Sequence, residues 1–264
     1  MLCRLCDGPT RESFRLRVLS KHDVLYFLCQ HCRSLQSQEP FWLEEAYRHP
    51  SPHPLDVGAA QRVLQNRAAM QVLASVLNAR RILDFGGGDG LLCRLLRDRN
   101  LDAYASDKYA TLTYASAFAA EVSTGFDIIS AFEVVEHLPH PRQDLGALFA
   151  SRPRYLVFST ELYSQQGSDW WYLSPETGQH IFFFSDGAMR LLSEQYKYSY
   201  YKLNGWHLFS RELIPAVRLL LIRRLTGGRP FRLVNAYLSM SDTWQWVMRD
   251  YNKVSAALQG TPTA

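Results

Sequence analysis

Three groups of residues in this 264-residue chain have the types and spacing to do chemistry. The first is a turn, Asp84-Phe85-Gly86-Gly87-Gly88-Asp89-Gly90, in which an acid precedes closely spaced glycines. Glycines let the backbone take positive φ and approach a ligand closely. The helix start expected next, Leu91 to Leu96, offers unpaired N–H groups and a partial positive charge. A charged small molecule is therefore expected across this turn. A dinucleotide fits poorly: its G-x-G-x-x-G fingerprint would need glycine where Leu91 stands, and the acids at 84 and 89 would face a pyrophosphate. Those acids suit a ligand with an ammonium, a sulfonium and a ribose. Asp107, ending the strand-like run from Leu101, lies about twenty residues past the glycines, the place for a carboxylate on a ribose diol.

The second group is Cys3-x-x-Cys6 and Cys29-x-x-Cys32, four of the five cysteines. Two such knuckles have the spacing of a structural tetrahedral zinc site. Asp7-Gly8 and Arg33-Ser34 suit the knuckle turns, Phe14 to Val18 alternates, and Val24 to Leu28 is rich in β formers. A zinc ribbon on a small hairpin is expected. Free core thiols, or disulfides in a secreted protein, are the alternatives. His31 is expected to be exposed rather than a ligand, and Cys93 to be an ordinary buried thiol. About forty residues hold little core, so the metal would supply much of this lobe's stability.

The third group is Glu133-Val134-Val135-Glu136-His137 together with His180, preceded by Asp169-Trp170-Trp171-Tyr172. A helix starting at Glu133 would put Glu133, Glu136 and His137 on one face. Such residues serve as general bases or metal ligands, and also merely order a turn. The aromatics suit stacking on a sugar ring, or plugging a hydrophobic gap.

Around these groups the pattern predicts a helix over Val57 to Ala79 and strands at Ile82-Leu83, Leu101 to Asp107 and Arg154 to Thr160. A helix over Ser185 to Tyr196 follows, then two strands joined by Asn204-Gly205. Lys108 to Gly125 is short for a helix plus a third strand and leaves the adenine pocket unassigned. With the acid-x-glycine-x-glycine turn and the run Phe126 to Pro139, the chain resembles the class I S-adenosylmethionine-dependent methyltransferases over roughly residues 60 to 210. The resemblance implies an α/β fold, a Rossmann-like seven-stranded sheet closed by a C-terminal antiparallel hairpin. It places Asp84, Gly86, Gly87, Gly88, Asp89, Gly90, Asp107 and Phe132 at S-adenosyl-L-methionine.

E-x-x-E-H with a distal histidine also resembles the metal site of small-RNA 2′-O-methyltransferases and ubiquinone-pathway O-methyltransferases. That likeness implies Glu133, Glu136, His137 and His180 holding Mg2+ or Mn2+ against a hydroxyl. Many class I methyltransferases carry the same turn without a metal, and the metal-free version, with His180 or His137 as base, is preferred. The cysteine lobe, the E-V-x-E-H turn and the W-W-Y loop together resemble bacterial sugar and glycan methyltransferases. They imply a sugar, nucleotide-sugar or glycan hydroxyl as acceptor, bound by Trp170, Trp171 and Tyr172. The rivals are sugar C-methylation, an RNA methyltransferase gripping nucleic acid with its ribbon, and a non-catalytic cofactor-binding scaffold in glycan assembly.

Composition bounds these readings. At 47% hydrophobic the chain can bury a full core. The expected division is a zinc-ribbon lobe (1–40), a linker (41–56, with Pro50-Ser51-Pro52-His53-Pro54), a methyltransferase domain (57–215) and a helical extension (216–264). A net charge of +4 and a pI near 8.8 are only mildly basic. No Lys/Arg strip is interleaved with aromatics, so nucleic acid is not an expected partner. Arg218 to Arg232, the densest basic stretch, reads as a solvated helix face and loop with at most a weak anionic contact. No membrane span or signal peptide is expected, and the location expected is cytoplasmic.

Overall fold

Alternation around Phe14 produces strand β1 (Thr10–Val18), which pairs antiparallel with β2 (His22–Cys29), Val18 opposite His22 and Thr10 opposite Cys29. This computed structural model describes residues 1–48 and 54–258. Residues 49–53 of the expected linker and 259–264 of the expected extension lie outside the described residues. β3 (Leu35–Ser37) adds to β2, and a one-turn helix α1 (Leu43–Ala46) follows. The apolar spacing around Met70 and Leu73 forms α2 (Ala59–Leu77), closed by Asn78 at φ 52, a left-handed cap that asparagine tolerates. β4 (Arg81–Phe85), α3 (Leu91–Arg97) and β5 (Asp102–Ser106) make a βαβ unit whose strands are parallel, Leu83 beside Tyr104.

β6 (Ile128–Phe132), α4 (Pro141–Ala150) and β7 (Tyr155–Ser159) follow, then β8 (Phe182–Phe183) and α5 (Asp186–Tyr196). Pro141 opens α4, where its missing N–H costs nothing. Ser185 caps α5 by accepting from the Ala188 N–H. β9 (Ser199–Lys202) and β10 (His207–Ser210) form the expected hairpin through Asn204-Gly205, with Gly205 at φ 86. Helices α6 (Ala216–Leu225), α7 (Gly228–Met240) and α8 (Trp244–Leu258) end the described chain.

The chain divides into two compact units, Met1–Val57 with Ile129–Leu213, and Gly58–Ile128 with Ile214–Ala264. In the first, β1, β2, β3 and β8 form a four-stranded antiparallel sheet, and β10 pairs antiparallel with both β7 and β9. Val24, Tyr26, Leu28 and Leu35 of the cysteine lobe share one core with Trp42, Tyr163, Tyr172, Ile181 and Phe183. Each such buried side chain contributes about 1.5–3 kcal/mol. The lobe therefore rests on apolar surface from residues 163–183 as well as on its cysteines. In the second unit α2 packs against α3, α6 and α7.

Six strands, not the expected seven, make up the mixed sheet among the described residues. Where a third strand was expected, residues 108–125 supply a 3-10 turn, Ser116–Phe118, and a single parallel bridge between Ala105 and Ala119. That segment is too short for a helix and a full strand together, so its pairing stops at one bridge.

Candidate active site

The glycine turn leaves β4 directly over a buried acid. A Cβ on Gly87 would lie 2.9 Å from Asp84 Oδ2, so only glycine permits this approach. At Gly88, with φ 59, an added Cβ would meet nothing within 4 Å, and this edge of the turn is open. The Gly86 and Gly87 N–H groups both donate to the Ser106 carbonyl, at 2.7 and 3.2 Å. Asp89 Oδ1 accepts from the Leu91 N–H at 3.0 Å, tying the turn to the first residue of α3, which starts after Gly90. Asp107 lies just beyond β5. Its Oδ2 accepts from the Gly88 N–H at 2.9 Å, and its Oδ1 from the N–H groups of Tyr109 and Ala110 at 2.8 and 2.7 Å. A carboxylate oxygen accepts two donors, so Oδ2 keeps capacity for a hydroxyl while fixing the turn.

The segment after β6 departs from the helix expected at Glu133. Glu133 takes φ 54, uncommon for a residue with a side chain, and only a 3-10 turn, Val135–His137, follows. The cause is Ser159 at the end of β7. Its hydroxyl accepts from the Glu133 N–H at 3.1 Å and donates to Glu133 Oε1 at 2.6 Å, bending the backbone out of helical geometry. Glu133, Glu136 and His137 therefore share no helix face.

Folding nevertheless gathers part of the set. One potential ligand atom each from Glu136, His137 and His180 lie within 4.8 Å of one another. Glu133 stands outside that group but reaches the Tyr172 hydroxyl, 3.4 Å from its Oε2. Tyr172 donates to Glu136 Oε1 at 2.6 Å, whereas Glu136 Oε2 is buried with no hydrogen-bond partner. Burial, and then the neighbouring Glu133, push the Glu136 carboxyl up to about 8. Burial and then His180 hold His137 well below the usual histidine range, so its ring is neutral at neutral pH. The Tyr47 hydroxyl lies 3.1 Å from His137 Nδ1. His180 Nδ1 lies 2.6 Å from the Tyr172 carbonyl. A carbonyl only accepts, so Nδ1 carries a proton, and in the neutral ring Nε2 is the basic nitrogen. The two imidazoles meet edge to face at 4.8 Å. The neutral His137 ring and the Nε2 atom of His180 are the proton acceptors in this group, and Glu136 can join them in holding a cation once its carboxyl ionises.

Among the expected acceptor residues, Trp171 is exposed and Trp170 is half-buried against Tyr163 and Phe183. Tyr172 is buried and turned toward Glu136. Phe132 is half-buried at the end of β6.

The four knuckle cysteines converge, with one sulfur from each within 4.8 Å of the others. Cys3 and Cys32 Sγ are 3.7 Å apart, and Cys6 and Cys29 Sγ 3.5 Å. A disulfide needs about 2.05 Å. A tetrahedral ion with bonds of about 2.3 Å spaces its sulfurs by about 3.8 Å, so this donor set fits zinc. The residues after each second cysteine, Asp7 at φ 53 and Arg33 at φ 64, turn the chain back, and the N–H groups of His31 and Cys32 point at Cys29 Sγ from 3.4 Å. Burial pushes the Cys6 thiol up to about 11. His31 is exposed, and Cys93 is buried on α3, its thiol raised by burial to about 12.

Periodicity and spacing do not point to Tyr47, to Ser159, or to Thr160, whose hydroxyl lies 3.3 Å from that of Tyr172. Tyr47 lay in the expected linker, yet Trp42 beside it donates to the Gly178 carbonyl at 2.8 Å and Gln179 donates to the Ala46 carbonyl at 3.0 Å. The aromatic density of Phe41, Trp42 and Tyr47 was the available signal.

Residues 57–203 match the profile of a methyltransferase-domain family. No curated protein matches the chain. Solved structures that resemble it include the methyltransferase domain of bacterial CtHen1, 20% identical over 55% of this chain and 97% of that one, with a TM-score of 0.42. The magnesium protoporphyrin IX methyltransferase of Synechocystis PCC 6803 is 12% identical over 66% of this chain and 93% of its own, at TM-score 0.43. The mitomycin 7-O-methyltransferase is 12% identical over 64% of this chain and 59% of its own, at TM-score 0.45.

Proposed function

The chain belongs to the methyltransferase-domain family and is an S-adenosyl-L-methionine-dependent methyltransferase, and we propose that its acceptor is a hydroxyl of a sugar, nucleotide-sugar or glycan. The observation that carries this reading is the cluster of Glu136, His137 and His180, with a lone pair on His180 Nε2. An alcohol is a weak nucleophile until its proton is drawn away, and a neutral imidazole beside it can draw it. In the proposed step the acceptor oxygen forms a bond to the methyl carbon while the carbon–sulfur bond breaks. The sulfur keeps the electron pair, and the hydroxyl proton passes to His180 Nε2. Alignment and exclusion of water supply the rest of the acceleration. Asp84, Gly86, Gly87, Gly88, Asp89, Gly90, Asp107 and Phe132 are the proposed cofactor contacts. Trp171, exposed, and Trp170 beside it are the proposed sugar platform; Tyr172, facing inward, positions Glu136. Cys3, Cys6, Cys29 and Cys32 are proposed to hold a structural zinc ion.

A second reading is favoured by the unpartnered Glu136 Oε2. A buried carboxylate oxygen beside two imidazoles fits a divalent cation, and the mixed donor set favours manganese over magnesium, which prefers all-oxygen ligands. Such an ion would lower the pKa of an acceptor hydroxyl.

The test is transfer of labelled methyl to a panel of sugars, nucleotide-sugars and oligosaccharides, with RNA alongside, followed by mass spectrometry of the product. An O-methylated sugar is expected, with His180→Ala lowering turnover about 10²–10⁴-fold while the cofactor still binds. Activity lost to a chelator and restored by Mn2+ would select the second reading. Label on RNA or on carbon, with none on a sugar oxygen, refutes the proposal.

A further inference from the structure

Between Ile214 and Ser241 the chain carries Arg218, Arg223, Arg224, Arg229 and Arg232 and no acidic residue. The helices in this stretch wear their apolar stripes outward. On α6, Val217, Leu220 and Leu221 are exposed, and their i, i+3, i+4 spacing continues to exposed Arg224 at i+7. On α7, Leu233, Tyr237 and Met240 are exposed at i, i+4 and i+7, with Arg229 one turn before them on the same face. Met240 is 85% exposed. The inward sides are marked by buried Ile222 and Leu238, and both helices pack against α2 and each other. Arg67 of α2 donates to Asn235 Oδ1 at 2.9 Å and to Ser239 Oγ at 3.0 Å, holding the inner edge of α7. Trp244, exposed at the start of α8, follows this face in sequence.

Amphipathic helices in a soluble core bury the stripe that these two expose, and contiguous apolar surface of this kind marks an interaction site. Its chemistry selects the partner. RNA would engage the arginines but leave Leu220, Leu233 and Met240 in water. A second copy related by two-fold symmetry would set Arg224 and Arg229 against their own counterparts, with Arg218, Arg223 and Arg232 flanking them. We propose that α6 and α7 form a peripheral docking face for an anionic lipid surface. Arginines meet the headgroups while Leu220, Leu221, Leu233 and Met240 enter the acyl boundary and Tyr237 lies at the interface. Among the described residues no helix is long and apolar enough to cross a membrane, so the contact is with the surface. The inference is independent of the acceptor assignment.

The experiment uses the full chain in co-sedimentation with vesicles of phosphatidylcholine alone, or of phosphatidylcholine and phosphatidylglycerol in equal parts. Binding is expected to the anionic vesicles and to weaken with salt. Arg224→Gln with Arg229→Gln should lower the affinity about 25-fold, roughly fivefold per arginine near the surface. Leu220→Gln with Leu233→Gln should lower it at least tenfold. Thermal melting and adenosylmethionine titration should be unchanged in both pairs, because these residues are exposed and outside the proposed cofactor contacts. Equal binding to the two vesicle types, or variants that bind like the wild type, would overturn the proposal. So would a dimer in sedimentation velocity that the leucine pair dissolves, since the face then belongs to a second copy.

Discussion

Replacing Asp250 by asparagine should loosen the helix that begins at the glycine turn. Asp250 on α8 is 2% exposed, and its carboxylate accepts from Arg97 Nε at 2.7 Å, Arg97 Nη2 at 2.9 Å and Arg94 Nη2 at 2.8 Å. Both arginines lie on α3. Burial opposes the charge on Asp250, but hydrogen bonds from Arg97 and Arg94 outweigh it and hold the pKa at about 2, below an ordinary aspartate at 3.8. One pKa unit is about 1.4 kcal/mol, so the difference amounts to about 2–3 kcal/mol of native stability. Because the folded pKa is the lower one, that contribution is complete above the unfolded value. It drains away as pH falls from there through about 2. Asparagine keeps the shape but leaves buried Arg97 with only the longer, half-exposed contact to Asp102 at 3.4 Å as counter-ion, a cost of about 3 kcal/mol at neutral pH. Urea denaturation of both proteins across an acid pH series reads this directly. The variant should be several kcal/mol weaker near neutrality, the gap should narrow as pH falls toward 2, and adenosylmethionine affinity should fall with the loosened α3. A neutral-pH loss below about 1 kcal/mol, or a gap that ignores pH, would refute the reasoning.

Asp107→Ala should weaken adenosylmethionine binding in isothermal titration by about 1.5–3 kcal/mol, as loss of a charge-assisted bond requires, while NAD gives no heat. Tight NAD binding without an adenosylmethionine signal would sink the cofactor contacts proposed for this turn. Elemental analysis should find one zinc per chain, and Cys6→Ser should lower the melting temperature of the whole first unit, since the strands that carry the second knuckle share its core. A fully folded, metal-free wild type removes that claim.

The glycine turn, the cysteine knuckles and the closing hairpin are legible in sequence because each is local: spacing within a few residues dictates the geometry. Glu133 shows the limit. Its spacing to Glu136 and His137 is helical, but Ser159, far along the chain, captures its N–H and carboxylate and turns the backbone left-handed. Tyr47 beside His137 and Asp250 beside Arg97 are likewise tertiary contacts, and no periodicity announces them. The third strand fails for a different reason: residues 108–125 give a length too short for the expected pair of elements. On α6 and α7 the basic stretch was legible as charge. Which side of each helix faced outward was not, since that depends on what α2 already covers.

The cysteine lobe and the histidine cluster belong to one mechanical system. Arg4 sits inside the first knuckle, between two of the four converging sulfurs in sequence, and its guanidinium donates to the Ile181 carbonyl at 2.6 Å. Ile181 in turn donates its N–H to the Glu136 carbonyl at 2.9 Å, and it follows His180 directly. On the other side, the Ser185 hydroxyl bonds the Cys32 carbonyl, and a Cβ on Gly187 would come within 2.8 Å of that same oxygen. Both knuckles thus grip the segment that carries His180. An ion that fixes the sulfurs would also fix Arg4, and through Ile181 the relative placement of Glu136 and His180. The requirement is strict, because a displacement of about 1 Å at a reacting group can cost on the order of a hundredfold in rate. In this reading the ribbon's contribution to methyl transfer is the rigidity it gives residues 180–185.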